Sequence, residues 1–379
     1  MAKQRIPSFR IGRIGGSELT ALLVISSVSD VFLSYPARLV TEGASAAWMI
    51  PLFSGAIVLA IWLMVDGMMK KTHTLNVVDE LTNWLPFPVI SAVLVILSLY
   101  ILLQTSLIMR EFTEAIIATV LPSTPSSLIA LSFLLVSVYF SSKGIEAISR
   151  AAIMFMYFFV AGVVTLLVLP MSWVHTVEWL PLWGTGIPRI ATYSVLNTSI
   201  YFLVLALILL SPALRKESLR RKTGVYSIVI SSVIIVAFML VLLGAFSVPI
   251  TEKMTYPIYQ LSRLIYVSRF VQRLEAIFVF LWTSAAVIKM GFGLWLTTYL
   301  FAYSQKMPVY RPLIWIFAML VYVLMFVPPD LPTVLSLAGG IYETYGGIFS
   351  VGVPILFVLL IYVRKTRHAN RSMKRGARE

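Results

Sequence analysis

The chain has 379 residues, of which 59% are hydrophobic and only 12% are charged, and its formal net charge is +14. Soluble domains carry about 25% charged residues, so this composition excludes a water-exposed globular protein and indicates that a lipid bilayer covers most of the surface. There is no cysteine, which excludes a disulfide framework and thiolate chemistry. The basic residues lie mostly between and beyond the apolar runs, a distribution that favours membrane orientation and not nucleic-acid binding.

Ten apolar runs are predicted to be membrane spans. A span needs about 20 apolar residues to cross roughly 30 Å of hydrocarbon, and prolines and short polar stretches separate the runs. Spans 1 to 10 are predicted at residues 17–38, 45–66, 88–118, 126–141, 147–170, 190–211, 224–247, 272–303, 311–328 and 346–364. Spans 3 and 8 are long enough to tilt or protrude, whereas spans 4 and 9 are short. The sequence therefore predicts an all-α integral membrane protein with ten transmembrane helices.

One transmembrane domain is predicted between two basic ends. A basic N-terminus covers residues 1–16, the transmembrane domain covers 17–364, and a basic tail covers 365–379. With both ends in the cytoplasm, 22 of the 30 lysines and arginines lie on the cytoplasmic side and seven lie outside. This bias obeys the positive-inside rule and predicts a multi-pass protein of a bacterial cell membrane with cytoplasmic N- and C-termini. The stretch 248–271 carries three of the outer charges and is interpreted as an amphipathic segment over the outer mouth.

Ten spans fit a plan of two inverted repeats of five helices, with one half at 17–170 and the other at 190–364. In transporters built this way, the solute site forms where helices at matching places in the two halves are interrupted. Spans 1 and 6 both contain runs of small polar residues, which compete with backbone hydrogen bonds. Irregular backbone at membrane depth survives only where it is buried in protein or lines a wet cavity. We therefore expect spans 1 and 6 to be broken and to line a solute site.

The expected substrate-binding residues come from spans 1, 3 and 6. They are Ser26, Ser27, Ser29, Asp30, Gln104, Ser194, Asn197, Thr198 and Tyr201. Each serine or threonine also has a structural explanation, because these side chains in membrane helices often bond back to a carbonyl or pack against a neighbouring helix. The occurrence of two polar runs at matching positions is what favours a binding site.

Two charges lie where lipid is expected. Lys289 lies midway along span 8 and Asp30 lies in the polar run of span 1. A charge at the bilayer centre costs at least about 2.5–3.5 kcal/mol, so such residues mark functional sites. We expect Lys289 to substitute for the coupling cation of sodium-driven transporters and to hold the break in span 1 through backbone carbonyls or Asp30; a purely structural ion pair is the alternative. Arg110, Glu111 and Glu114 in span 3 are interpreted as ion pairs at the membrane interface.

Neither a metal nor a cofactor is expected. The histidines lie in or beside connecting segments, and the glycines within residues 12–16 lack the lysine of a phosphate-binding loop. No nucleophile or metal pair of an intramembrane enzyme is recognisable. The sequence therefore favours a binding or transport protein over an enzyme.

Several segments together match a family pattern. They are Leu33-Ser34-Tyr35-Pro36 with Ala47-Trp48, Leu209-Leu210-Ser211-Pro212, Tyr256-Pro257 through Arg263-Leu264-Ile265, and Arg273-Leu274-Glu275-Ala276 followed by Ile288-Lys289. Over residues 14–364 the chain resembles the endospore germination permeases, the membrane-embedded B subunits of spore germinant receptors. That family belongs to the amino acid–polyamine–organocation transporter superfamily.

The resemblance implies ten helices, an amino-acid-like germinant bound between helices 1, 3, 6 and 8, a location in the spore inner membrane, and receptor A and C subunits as partners. The chain departs from the pattern at Ser27 to Asp30, where members often have glycine, and at Leu203, where many have an acidic residue. Both departures lie at the expected pocket, so the ligand's identity stays open. The alternatives to a receptor are an amino-acid permease, proton-coupled or uncoupled, and a membrane scaffold with a vestigial pocket.

Overall fold

The computed structural model describes residues 12–83, 85–265 and 274–376, which are predominantly helical. Their α-helices, in chain order, are α1 (Gly16–Val28), α2 (Tyr35–Gly43), α3 (Met49–Lys71), α4 (Val77–Thr82), α5 (Phe87–Thr119), α6 (Ser126–Lys143), α7 (Ile145–Val168), α8 (Ile187–Leu196), α9 (Leu203–Leu210), α10 (Leu219–Phe246), α11 (Val248–Thr251), α12 (Pro257–Leu264), α13 (Leu274–Ser304), α14 (Leu313–Met325), α15 (Leu331–Ser336), α16 (Glu343–Gly347) and α17 (Val353–Gly376). Most of the predicted basic N-terminus, the last three residues of the tail and part of the predicted outer amphipathic segment lie outside the described residues.

The long apolar helices confirm the all-α membrane class. Among the described residues, eight helical stretches are long and apolar enough to cross a bilayer, and they correspond to predicted spans 2 to 8 and 10. Span 1 is a bent pair, Gly16–Phe32 and Tyr35–Ala46, whose parts are inclined by 69°. The helix at span 9, Leu313–Met325, is apolar but only 13 residues long. Ten spans therefore stay a prediction, while the broken first span is present in the structure.

Span 10 begins earlier than predicted. The helical stretch starts at Leu331 instead of residue 346, and the Asp330 carboxylate caps it by accepting a hydrogen bond from the Thr333 backbone N–H at 2.9 Å. Two π-helical turns, Leu337–Tyr342 and Ile348–Gly352, flank α16. Glycine is a poor helix former, and four of the nine residues from 339 to 347 are glycine. The sequence of this segment therefore does not predict a transmembrane helix. At its other end the helix runs to Gly376, into the predicted tail.

Gly346 in this stretch permits close packing against span 6. A Cβ atom at Gly346 would lie 2.9 Å from the Ser199 Cβ and 3.0 Å from the Tyr100 hydroxyl. Real side-chain contacts are longer than this, so only glycine allows α16 to lie directly on the centre of span 6. Span 10 is thereby positioned to contribute side chains to the region where span 6 is interrupted.

Spans 1 and 6 are joined at one end of the molecule. The Ile14 N–H donates to the Ala213 carbonyl at 2.8 Å, and the Arg215 N–H donates to the Ile14 carbonyl at 3.0 Å. This short parallel bridge connects the residues before α1 to those after α9. The bridge holds the two interrupted spans side by side.

Candidate functional site

The break in span 1 follows from its local sequence. After α1, residues Ser29–Phe32 form a 3-10 turn, Leu33 is extended, and α2 begins at Tyr35 with Pro36 in its first turn. Proline has no N–H, and the first turn of a helix needs none, so this sequence favours a new helix start. Phe32 anchors the turn because its ring packs edge-on against Phe278, with the centroids 5.4 Å apart.

The break in span 6 lies beside the first. Residues Asn197–Ile200 form a 3-10 turn between α8 and α9. The Tyr35 hydroxyl donates to Asn197 Oδ1 at 2.9 Å, and Asn197 Nδ2 donates to Ser54 Oγ at 2.8 Å. The Tyr201 hydroxyl bonds to Ser232 Oγ at 2.8 Å. These hydrogen bonds between buried side chains join the two breaks to each other and to spans 2 and 7.

A cavity of about 70 Å³ lies where the two breaks meet spans 3 and 10. We call it the arginine chamber; its lining is Asp30, Leu33, Tyr35, Arg38, Gln104, Leu107, Ile108, Glu111, Ser199, Ile200, Ala338, Tyr342 and Glu343. A cavity holds a water molecule once about 10–15 Å³ is open to it, so the chamber has room for a few waters or a small solute group. Its lining combines charges of both signs with apolar side chains, as small-molecule sites do.

A chain of polar contacts crosses the arginine chamber. Arg38 Nε donates to Glu343 Oε1 at 3.1 Å, and Arg38 Nη1 donates to Ser34 Oγ at 2.7 Å. The Ser34 hydroxyl donates in turn to Glu111 Oε1, and the Ser34 backbone N–H donates to the same oxygen at 3.0 Å. Span 10, the second part of span 1 (α2) and span 3 are therefore linked by one set of contacts. A solute that competes for any member would alter how these three elements are held.

A second cavity of about 40 Å³ adjoins the first, and we call it the lysine chamber. Gln104, Ile108 and Ile200 line both cavities, while Ser26, Ser27, Thr105, Leu203 and Lys289 are among the residues that line the second alone. The Lys289 ammonium pairs with the Asp30 carboxylate of the arginine chamber. The two side chains are only 13% and 16% exposed, so each charge depends on the other for its stability. This ion pair lies between the two chambers.

The structure divides the predicted site residues into two groups. Ser26, Ser27, Asp30, Gln104 and Lys289 line one or both chambers. Ser29, Ser194, Asn197, Thr198 and Tyr201 are buried behind the linings of these two cavities and bond to other protein groups. Ser29, Ser194 and Thr198 each donate to a carbonyl three or four residues earlier, at 2.7–3.0 Å. Their hydroxyls therefore support the breaks without facing either cavity.

Sequence reasoning missed much of the arginine chamber. The missed residues that line it include Tyr35, Arg38, Glu111, Ser199, Tyr342 and Glu343. The interpretation of Glu111 as an interfacial ion-pair residue was wrong, because it faces the chamber; Arg110 pairs with Glu114 instead, at 2.9 Å. Gln104 and Glu111 are seven residues apart, a spacing that places them on one helix face. That spacing was the available signal for Glu111.

Comparison with known proteins identifies the relatives of the chain. A family model described as "Spore germination protein" matches residues 13–333. The protein YfkT of Bacillus subtilis (strain 168) is 23% identical over 270 residues, which cover 70% of this chain and 72% of YfkT. Spore germination protein KB of the same organism is 22% identical over 299 residues, covering 75% of this chain and 77% of that protein.

Solved structures share the fold at low sequence identity. A Na⁺-coupled sialic acid symporter, in a substrate-bound outward-open state, aligns with a TM-score of 0.65 and 13% identity over 92% of this chain and 82% of its own. MhsT, in complex with L-phenylalanine, aligns with a TM-score of 0.66 and 13% identity over 91% of this chain and 88% of its own. The predicted transporter architecture is therefore confirmed at the level of fold. Since the family model covers most of the sequence as well, the chain belongs to the spore germination protein family and is built on the fold of membrane transporters.

Proposed function

We propose that this chain is the membrane-embedded, ligand-binding subunit of a spore germinant receptor, and that its ligand is a small amino-acid-like germinant. The arginine chamber is the observation that carries the proposal. It brings one guanidinium and three carboxylates to the junction of the interrupted helices, and a zwitterionic solute carries charges complementary to both. The complex of MhsT with L-phenylalanine supports the same ligand class for this fold.

The proposed signal is a change in how α2 is held. Because α2 is separated from α1 by the break, its position depends on contacts such as those of Arg38 with Glu343 and of Ser34 with Glu111. A germinant that binds one arrangement of these groups more tightly shifts the population toward it. In this proposal, receptor A and C subunits respond to that shift in the spore inner membrane.

Lys289 has a specific part in this proposal. Its ammonium is paired with Asp30 beside the first break, a place where sodium-driven transporters of this architecture use unwound backbone and ion ligands. A fixed cation there would stabilise the break without a bound metal ion. Binding of the germinant would then be independent of sodium.

Secondary transport is the second candidate function. The structural similarity to a Na⁺-coupled sialic acid symporter over 92% of this chain supports it. Purified protein in liposomes that accumulates a labelled amino acid above its external concentration would favour a permease. Binding of the amino acid without uptake would favour the receptor.

The receptor proposal is tested by deleting the gene in its spore-forming host. Spores are scored for germination on a panel of amino acids, sugars and nucleosides, with the wild-type gene and an Arg38→Gln variant restored separately. We expect at least one amino acid to lose its effect, the wild-type gene to restore it, and Arg38→Gln to raise the required concentration about tenfold, equivalent to about 1.4 kcal/mol. Unchanged germination on every compound would contradict the proposal.

A further inference from the structure

The N-terminus of α2 is already occupied by a carboxylate of the protein. In transporters with interrupted helices, half-helix N-termini point at the anionic group of the substrate, because the helix dipole places partial positive charge there. Here the backbone N–H and the hydroxyl of Ser34, the residue that precedes α2, both donate to Oε1 of Glu111. Glu111 is 5% exposed and lines the arginine chamber. A ligand carboxylate would have to displace it.

The second oxygen of Glu111 is available to a ligand. Both bonds from Ser34 go to Oε1, and Oε2 accepts no hydrogen bond from any residue in the described part of the chain. The neighbouring Arg110 is turned toward Glu114. Among the described residues, no lysine or arginine forms a salt bridge with Glu111. Within the part of the chain that the structure describes, the chamber therefore contains an almost buried carboxylate with one oxygen free of hydrogen bonds and no direct salt bridge; its link to Arg38 runs through the Ser34 hydroxyl.

The charges around the chamber favour a cationic group. The lining carries the carboxylates of Asp30, Glu111 and Glu343 and the guanidinium of Arg38. Arg38 forms a salt bridge with Glu343, and Lys289 forms one with Asp30. With every group ionised, these described residues carry one excess negative charge, and Glu111 is the carboxylate among them that has no direct salt bridge. A second carboxylate here would meet like charge, whereas an ammonium group would complete a pair.

We infer that the chamber recognises its ligand through an ammonium group bound to Glu111 Oε2, so the ligand class is small primary amines, with or without a carboxylate. This inference rests on the proposed germinant-binding function and specifies its chemistry. Where the ligand has a carboxylate, Arg38 is its partner, in competition with Glu343. The side-chain amide of Gln104, which hydrogen-bonds to no other described residue, lies between the two chambers and is free to orient the ligand.

The test uses the full-length protein in lipid nanodiscs and three matched sets of compounds. They are L-alanine, ethylamine and propionate; L-valine, isobutylamine and 3-methylbutanoate; and L-phenylalanine, phenethylamine and 3-phenylpropanoate. The change in thermal unfolding midpoint with concentration gives an apparent Kd for each. In at least one set we expect the amino acid and its decarboxylated amine to stabilise the protein, and the deaminated acid to bind at least tenfold more weakly.

Variants of two acidic residues on α5 sharpen the test. Glu111→Gln should weaken binding of the amine and the amino acid at least tenfold, and Glu111→Asp, which keeps the charge, should lose less. Glu114→Gln is the matched control and should bind like the wild type, since Glu114 pairs with Arg110 and does not line the chamber. The comparison of compounds on the wild-type protein needs no variant, so a folding defect in Glu111→Gln leaves the test intact.

The outcomes separate the two proposals. If the amino acid and the deaminated acid bind while the amine does not, the ammonium inference is overturned and a germinant pocket is still supported. If none of the nine compounds binds, the amino-acid-like germinant pocket is contradicted as well, and the ammonium inference falls with it.

Discussion

Individual charged residues show most directly how the bilayer constrains this chain. Lys289 stands out in the sequence because a lysine in the middle of an apolar span is costly, and the structure places its ammonium against Asp30. Arg38 and Glu343 form a comparable contact at 3.1 Å, but they are 305 residues apart and each lies beside a polar or glycine-containing stretch. Such a pair leaves no local signal, so only the packing of span 10 against span 1 reveals it.

Removing only one member of the Lys289–Asp30 pair should lower the free energy of unfolding more than removing both members. Lys289→Met leaves an uncompensated carboxylate in a nearly buried position and should lower the free energy of unfolding by about 3 kcal/mol. Asp30→Asn combined with Lys289→Met removes both charges and should recover most of that loss. Unfolding of the three proteins in the same detergent measures the difference. A single variant as stable as the wild type would show that the pair does not stabilise the break.

At the scale of elements, the two interrupted spans line both chambers, and their interruption was largely predictable. Helical continuity is weakened by Ser, Asp and Pro in span 1 and by Asn, Thr and Ser in span 6. The structure has 3-10 turns in these places, at Ser29–Phe32 and Asn197–Ile200. Which hydroxyls face a cavity was not predictable, because that depends on the rotation of each short turn. The early start of span 10 was missed because its glycines lower helix propensity, whereas one of them, Gly346, permits packing against Ser199 and Tyr100.

Close contact between α16 and the centre of span 6 predicts unequal effects of two glycine substitutions. Gly346→Ala should lower the free energy of unfolding by about 1–3 kcal/mol, because the new methyl group overpacks against Ser199 and Tyr100. Gly340→Ala is the matched control: no atom lies within 4 Å of its added Cβ, and it should be neutral or stabilising by up to about 1 kcal/mol. Thermal unfolding of both variants measures the contrast, and equal behaviour would contradict the packing described here.

At the scale of the whole molecule, composition and the spacing of apolar runs were sufficient to predict the fold class. Apolar length determines which segments a bilayer can accommodate, and this constraint is independent of the details of packing. The exact number of spans is harder to predict, because Leu313–Met325 has only 13 residues and its depth depends on its neighbours. The orientation of the chain in the membrane stays a prediction from the distribution of lysine and arginine.

The absence of native cysteine allows a direct test of orientation. Glu178→Cys, between α7 and α8, should react with a membrane-impermeant maleimide added to intact cells. Glu217→Cys, between α9 and α10, should react only after the membrane is permeabilised, if the positive-inside rule sets the topology. The reverse labelling pattern would place both termini outside the cytoplasm.

We propose that the broken spans 1 and 6 enclose a solute site, and chemical modification of a Gln104→Cys variant is the sharpest test of that site. Gln104 lines both chambers, whereas its neighbour Leu103 is 46% exposed on the outer surface of the helix bundle, where lipid is expected. The measurement is the rate at which 2-aminoethyl methanethiosulfonate modifies each single-cysteine protein in nanodiscs. The rate is measured with and without an amino acid that triggers germination in the spore assay. We expect the Gln104→Cys variant to react, the amino acid to slow this reaction at least tenfold, and the Leu103→Cys variant to show no such protection. A Gln104→Cys protein that is as inert as a lipid-facing position, or whose rate no amino acid changes, would contradict this proposal.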